Sequence, residues 1–491
     1  MHYHLYELGQ AAISPARVAA QSTRFLMRNP FNPLSYTNLG RNAAAAAELL
    51  ERTTRRYNKP TFGITRTMVK GVQASVTEET VWRRPFCNLI RFRKHFPDDT
   101  APAQPRLLIF APLSGHFATL LRGTVEAMLP FADVYITDWK DARFVHLKEG
   151  SFDLDDYIDY VIAMIELFEG DVHLMAVCQP SIPVISAVAL METGGSPAVP
   201  RSLILKGGPI DTRVSQTAVN KLAEEKGINW FRRSVITSVP WPHPGHGRLV
   251  YPGFLQLSGF MAMNLDRHVN AHKDLFVHLV RGDGDSVEKH KEFYDEYLAV
   301  MDLAAEYYLQ TIEQVFIKHQ LPKGEMFHRG QLIDLTAISR TALMTIEGEK
   351  DDITGLGQCE AAIHLCTNLQ DSKKTHYTQP GVGHYGIFNG SRYRNEVVPR
   401  IVSFMADHDV RGSSLHWLMH RLAGEKDVVP ASPVPLRNLP ASTKTVAPGE
   451  EEQVRLSSLP AKPMLKMRKG RSVAKVSAAH GKPRSVKHRG R

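Results

Sequence analysis

Short apolar runs bounded by turn residues punctuate this chain, and they predict strands near residues 107–111, 133–138, 172–177, 202–206, 342–347 and 374–379. Val172–Val177 is the clearest of them: it is apolar without alternation, as a strand covered on both faces must be. Helix-like segments lie between several of these runs, and Ser181–Met191, rich in alanine and aliphatic residues, is one. Strands alternating with helices predict an α/β protein with a mostly parallel sheet. Residues 1–60 read as helical, with an alanine run at Ala43–Ala47. About 135 residues separate Ser202–Lys206 from the strand near Ala342, too many for one βα connection, so an inserted cap is expected there. Its residues include Trp230, Phe231, Trp241, Tyr251, Phe254, Leu255, Phe260, Met261 and Met263, followed by a helical stretch from Phe293 to about His319. That apolar density suits a greasy, extended substrate, although it serves equally as the cap's own core.

The junction between Val172–Val177 and Ser181–Met191 carries Cys178, in His-Leu-Met-Ala-Val-Cys-Gln-Pro-Ser. A side chain on a strand-to-helix elbow stands over the carboxyl edge of the sheet, and the helix N-terminus behind it favours a thiolate. The usual elbow is Gly-x-Ser-x-Gly; here Ala176 and Pro180 flank the cysteine. Proline lacks an N–H, but the first helical turn has no internal use for one, so Pro180 can open the helix.

A nucleophile of this kind needs a base and an orienting carboxylate, in the chain order nucleophile, acid, histidine that marks the α/β-hydrolase fold. Residues 342–354 begin as a strand and break at Gly348 into a loop with Asp351 and Asp352. Gly-x-x-Asp spacing after a late strand favours Asp351, leaving Asp352 as a solvated neighbour or cap. His384 follows in the glycine-rich loop Pro-Gly-Val-Gly-His-Tyr-Gly-Ile-Phe at 380–388; position and order single it out among 22 histidines. Residues 107–117 read as an early strand ending in Ala-Pro-Leu-Ser-Gly-His-Phe. The backbone amides of Leu113 and Ser114, with that of Gln179, are the candidates for holding an oxyanion. His116 is read as capping this loop.

Composition narrows the setting. The chain has 491 residues, 43% hydrophobic and 22% charged, enough for a large core. Its four cysteines, Cys87, Cys178, Cys359 and Cys366, form neither a disulfide framework nor a Cys-x-x-Cys metal motif, so neither metal nor cofactor is expected. The start Met-His-Tyr-His lacks a basic segment followed by an apolar one, and no stretch approaches the ~20 apolar residues of a membrane span. A cytoplasmic protein is expected. Residues 461–491 hold six lysines, five arginines and no acidic residue, a larger charge than the whole chain's +10. From about Val428 the composition turns to Pro, Ser, Ala, Lys and Arg and predicts a disordered basic tail. It suits an anionic granule surface or nucleic acid, or only solubility; aromatics for base stacking are absent.

The Val-Cys-Gln-Pro elbow, the Glu-Gly-Glu-Lys-Asp-Asp-Ile acid loop and the Gly-Val-Gly-His-Tyr-Gly-Ile-Phe loop together resemble the intracellular polyhydroxyalkanoate (polyhydroxybutyrate) depolymerases. The resemblance extends over roughly residues 1–410. It implies an α/β-hydrolase fold and a Cys178–Asp351–His384 triad that hydrolyses poly(3-hydroxybutyrate)-type polyester. It also implies residence on storage granules. The domain layout expected is 1–100 as a helical extension, 101–207 and 341–410 as the two parts of the core, 208–340 as the cap, and 411–491 as linker and tail. Two other classes compete. A polyester synthase-like acyltransferase would resemble a Gly-x-Cys-x-Gly elbow, which is absent; a non-catalytic granule-binding protein would lack the triad.

Overall fold

The computed structural model describes residues 2–97, 102–263, 265–281 and 283–409; the tail expected at 411–491 lies outside them. Two helices, α1 (His2–Arg28) and α2 (Asn38–Thr54), precede nine strands of one sheet. These are β1 (Arg66–Val69), β2 (Val72–Arg83), β3 (Cys87–His95), β4 (Arg106–Phe110), β5 (Asp133–Trp139), β6 (His173–Val177), β7 (Ser202–Lys206), β8 (Ala342–Gly348) and β9 (Lys374–Gln379). Their order is β1-β2-β3-β5-β4-β6-β7-β8-β9. β4 to β9 run parallel to one another, whereas β1, β2 and β3 pair antiparallel, β3 with the edge of that set at β5. The fold is that of the α/β hydrolases, with a mostly parallel sheet.

The helical reading of residues 1–100 fails beyond α2, where β1, β2 and β3 extend the sheet by three strands. The physical reason is visible in β2, Val-Gln-Ala-Ser-Val-Thr-Glu-Glu-Thr-Val-Trp-Arg: Ala74, Val76 and Trp82 are buried while most of their neighbours face water. A strand solvated on one face alternates, and lacks the continuous apolar run that betrays a central strand. The central strands are covered twice. β6 is buried at all five positions, and the helix after it, Ser181–Thr193, is buried from Ser181 through Glu192.

Between β7 and β8 the chain forms helices at 218–234, 253–263, 265–281, 284–297 and 305–311, and a small antiparallel sheet of 237–238, 249–251 and 303–304. The single helix expected from Phe293 to His319 is therefore broken. Near residue 300 the chain leaves the helix to meet the β4 loop: Met301 N–H donates to the Gly115 carbonyl at 2.7 Å, and His116 bridges Val300. Leu303 and Ala304 then pair with Tyr251 and Val250. Helical periodicity is local, and here inter-segment pairing overrides it.

The return into the sheet is held by one carboxylate. Glu192, at the end of the helix after β6, accepts from the backbone N–H groups of Ser339, Arg340 and Thr341 at 2.9, 2.9 and 3.0 Å, just before β8. Burial pushes this carboxyl up, but the three amides overrule it and hold it below its usual range. Because the depressed pKa belongs to the folded state, the stabilisation is present above the ordinary glutamate range and is lost on acidification. Glu192→Gln should cost about 1.5–3 kcal/mol at neutral pH. In urea titrations the gap between wild type and variant should narrow as the pH falls below about 4.5.

Candidate active site

Cys178 occupies the turn after β6 with a left-handed backbone, φ 66°. For a residue with a Cβ this conformation is strained, and the surroundings hold it there. Its N–H donates to the Lys206 carbonyl of β7 at 2.7 Å, and its own carbonyl accepts from Ser181 N–H at 3.1 Å. Pro180, with φ −54° and ψ −17°, stands in the first helical turn, and its carbonyl accepts from Val184 N–H at 3.0 Å. It opens the helix. The elbow thus projects Cys178, half-buried, beyond the carboxyl edge of the sheet.

Asp351 and His384 meet beside it. His384 Nδ1 donates to Asp351 Oδ2 at 2.7 Å, and both side chains are nearly fully covered. The other Asp351 oxygen accepts from the Ile353 and Thr354 N–H groups, each at 2.9 Å, so the carboxylate is fixed at both ends. Asp352 is exposed. The two loops are joined by Lys350 N–H donating to the Val382 carbonyl at 2.8 Å. Burial by itself lowers the imidazole pKa, but the negative charge of Asp351 and of the Cys178 thiolate overrides it and holds the ring well above its ordinary value.

The β4 loop lies on the same edge of the sheet. Leu113 is buried and Ser114 half-buried, and among the described residues no hydrogen bond uses the N–H of Leu113, Ser114 or Gln179. Three amides left without a protein acceptor are suited to a developing negative oxygen. His116 is buried, with Nε2 3.1 Å from the Tyr297 carbonyl; burial pushes its pKa down to about 4, so it is neutral and tethers the loop to the 284–297 helix. That helix also reaches the histidine loop, where Phe293 and Tyr297 pack on Tyr385.

Sequence reading missed the residues that make room for the base. Gly207 follows β7 with φ 55°, and a Cβ there would stand 3.0 Å from His384 Cε1. Its carbonyl accepts from Thr354 Oγ1 at 3.0 Å, which ties the acid loop to β7. The signal was the Gly-Gly-Pro run directly after a strand. The aromatic residues of 208–340 divide: Phe231 packs with Ala223 and Ile312 in a local core, Tyr251 lies on Tyr308, Phe260 contacts His116, and Trp241 is exposed. A cavity of about 850 Å³ opens over the end of β5, lined by Phe117, Trp139, Arg83 and Arg84, but not by Cys178, Asp351 or His384.

Glu347, Glu360 and His376 bring ligand atoms within 4.8 Å of one another. Both Glu347 oxygens, however, already accept backbone amides, from Gly357, Cys359 and Glu360. That carboxylate orders the chain after the acid loop. No described helix is long and apolar enough to cross a membrane.

Residues 207–409 match the family described as PHB de-polymerase C-terminus. No curated protein matches the chain. Among solved structures the chain is similar to DcsB in complex with its substrate analogue (13% identity, TM-score 0.38, covering 69% of this chain and 99% of that one). It is similar also to a membrane phospholipase A described as a bacterial virulence factor (11%, 0.37, 68% and 86%). A hydrolase from Pseudomonas aeruginosa PA01 is a third (11%, 0.36, 67% and 98%). The fold assignment rests instead on the strand order and the elbow.

The four thiols separate sharply. Cys87, Cys359 and Cys366 are buried, and burial raises all three, Cys366 to about 12; only Cys178 is partly exposed. Iodoacetamide at neutral pH should therefore alkylate Cys178 alone in the native protein, as read by peptide mass spectrometry. His384→Ala should slow that labelling at least tenfold by removing the cation beside the sulfur.

Proposed function

We propose that this chain, whose residues 207–409 match the family described as PHB de-polymerase C-terminus, hydrolyses ester bonds of stored poly(3-hydroxybutyrate)-type polyester through an acyl-enzyme on Cys178. The observation that carries this reading is the Asp351–His384 hydrogen bond at 2.7 Å together with a cysteine, mounted on a left-handed strand-to-helix elbow, whose charge acts on that histidine. Neither an acyltransferase nor a binding protein is favoured by a comparable observation.

The chemistry follows from these groups. The Cys178 thiolate attacks an ester carbonyl, and the carbonyl π electrons move onto oxygen, where the amides of Gln179 and of Leu113 or Ser114 receive the charge. The tetrahedral adduct collapses, the C–O bond to the leaving chain breaks, and the imidazolium of His384 gives its proton to the departing alkoxide. A 3-hydroxyacyl thioester remains on Cys178. His384, now neutral, takes a proton from water as that water attacks the thioester, and the acid leaves with regeneration of the thiolate–imidazolium pair. Asp351 holds the imidazole orientation and offsets its positive charge throughout. The products are 3-hydroxybutyrate or its oligomers, and the site of action is the storage granule.

Cys178→Ala should abolish release of 3-hydroxybutyrate and its oligomers from amorphous granules while leaving the far-UV circular dichroism unchanged. Undiminished release would sink the cysteine mechanism. Asp351→Asn should lower kcat by roughly 10²–10⁴. Its pH profile carries a sign. The carboxylate raises the His384 pKa, so removing it lets the imidazolium lose its proton earlier, and the alkaline limb of kcat/KM should move down by about one unit or more.

A further inference from the structure

The turn between α1 and α2 is apolar on the outside and polar on the inside, the inverse of an ordinary surface loop. Phe25, Phe31, Tyr36 and Leu39 are 73%, 92%, 70% and 75% exposed, and Leu26 and Leu34 are about half exposed. Six large apolar side chains within fifteen residues stand exposed here, a concentration of the kind that marks an interaction surface. The polar side chains of the turn bind its own backbone instead. Asn29 Oδ1 accepts from Phe31 N–H, Asn32 Nδ2 donates to the Leu26 carbonyl, Ser35 Oγ to that of Asn32, and Tyr36 Oη to that of Pro30, at 2.9, 2.9, 2.6 and 3.0 Å. Asn32 caps the 33–36 turn and Thr37 caps α2. Gly40 lets the turn lie directly on α2, since a Cβ there would stand 1.9 Å from the Leu34 carbonyl oxygen. The tip is rigid by construction, with its backbone groups satisfied before anything docks.

Its charge selects among occupants. From Leu8 to Ala47 there is no acidic residue, whereas Arg17, Arg24, Arg28 and Arg41 are present. Arg28 is paired with Glu48 and Arg24 with Glu51, both of α2, Arg17 donates to Gln10 and to the Thr54 carbonyl, and Arg41 donates to Asn38 Oδ1 at 2.7 Å. A cavity of about 420 Å³ opens beside the tip, lined by Met27, Arg28, Tyr36, Arg41 and Leu279. A polyester surface is apolar, carries only acceptors in its ester carbonyls, and bears carboxylates at chain ends. An apolar tip without an acidic residue of its own, edged by Arg41, whose hydrogen-bond partner is the neutral Asn38, complements these properties, and docking buries no uncompensated negative charge.

We propose that the 25–39 tip is the docking surface by which the protein lies on bare, amorphous polyester, separate from the catalytic groups that cut it. This rests on the polyester reading of the site above and adds to it how an insoluble substrate is held.

The test compares wild type with Phe25→Ser/Phe31→Ser/Leu39→Ser, and with Phe31→Ser alone in case the triple variant folds poorly; these side chains are exposed and outside the catalytic groups. Each is assayed for co-sedimentation with protein-free amorphous poly(3-hydroxybutyrate) particles, for polymer hydrolysis, and for turnover of soluble p-nitrophenyl butyrate. The triple variant should lose at least tenfold in particle binding and in polymer hydrolysis, and Phe31→Ser about threefold, with soluble-ester turnover unchanged. Particle binding equal to wild type overturns the docking role. So does an equal loss on the soluble ester, which would make the tip a support of the catalytic site, or a fall in oligomer mass by light scattering, which would make it a contact between copies. Tighter wild-type binding to anionic phospholipid vesicles than to bare particles would overturn the polyester commitment. Failure of the catalytic reading looks different: wild type would leave the polymer uncut whatever the tip carries.

Discussion

The candidate site depends on a single strained residue, Cys178. Cys178 must hold a left-handed backbone, and it does so because its N–H is tied to the Lys206 carbonyl while its carbonyl starts the next helix. β6 and β7 are in register from His173 and Ser202 through Val177 and Lys206, so the strand pairing that builds the sheet also delivers the acceptor that fixes the elbow. Strain of this kind persists only when its neighbours over-determine it. The same neighbours are fully buried: Lys206 has no exposed surface, its ammonium faces the Tyr393 ring at 4.2 Å, and burial pushes its pKa well down. A buried amine is costly, and its place on β7 puts it at the hub where elbow, sheet and the segment after the histidine loop converge.

From that hub the acid and the histidine of the candidate site are positioned by short ties. Gly207 leaves space for the imidazole, Thr354 ties the acid loop to Gly207, and Asp351 bridges its own loop and His384. The histidine loop is anchored in turn, with Thr124 Oγ1 donating to the Phe388 carbonyl at 2.6 Å. None of these ties is long-range electrostatics; each is a hydrogen bond or steric fit between adjacent segments. The charges act last, since the buried Asp351 carboxylate raises the pKa of an imidazole already in place.

The segment between β7 and β8 enters the same arrangement from above. It leaves β7 at Gly207 and returns through the Glu192 clasp at Ser339–Thr341, so both of its ends are fixed to the central strands. In between it reaches the β4 loop at Val300 and Met301 and the histidine loop through Phe293 and Tyr297. An extended apolar substrate would meet this segment and the two loops together.

The sequence by itself determined the central strands, the elbow at Cys178 and the order of cysteine, acid and histidine, because burial on both faces and a strand–turn–helix junction are local patterns. It also narrowed the acid to two neighbours. What it left open depended on partners distant in the chain. Which aspartate faces His384 is decided by how two loops lie on one another, and the room for that histidine comes from Gly207, some 177 residues upstream. The strands β1 to β3 escaped notice because their one-sided burial exists only once the sheet has a face to cover. The helix expected across residues 293–319 gave way for the same reason. Its periodicity was adequate for a helix, but the pairing of Val300 with His116 and of Leu303 and Ala304 with the 249–251 strand is a tertiary contact, which no local pattern encodes.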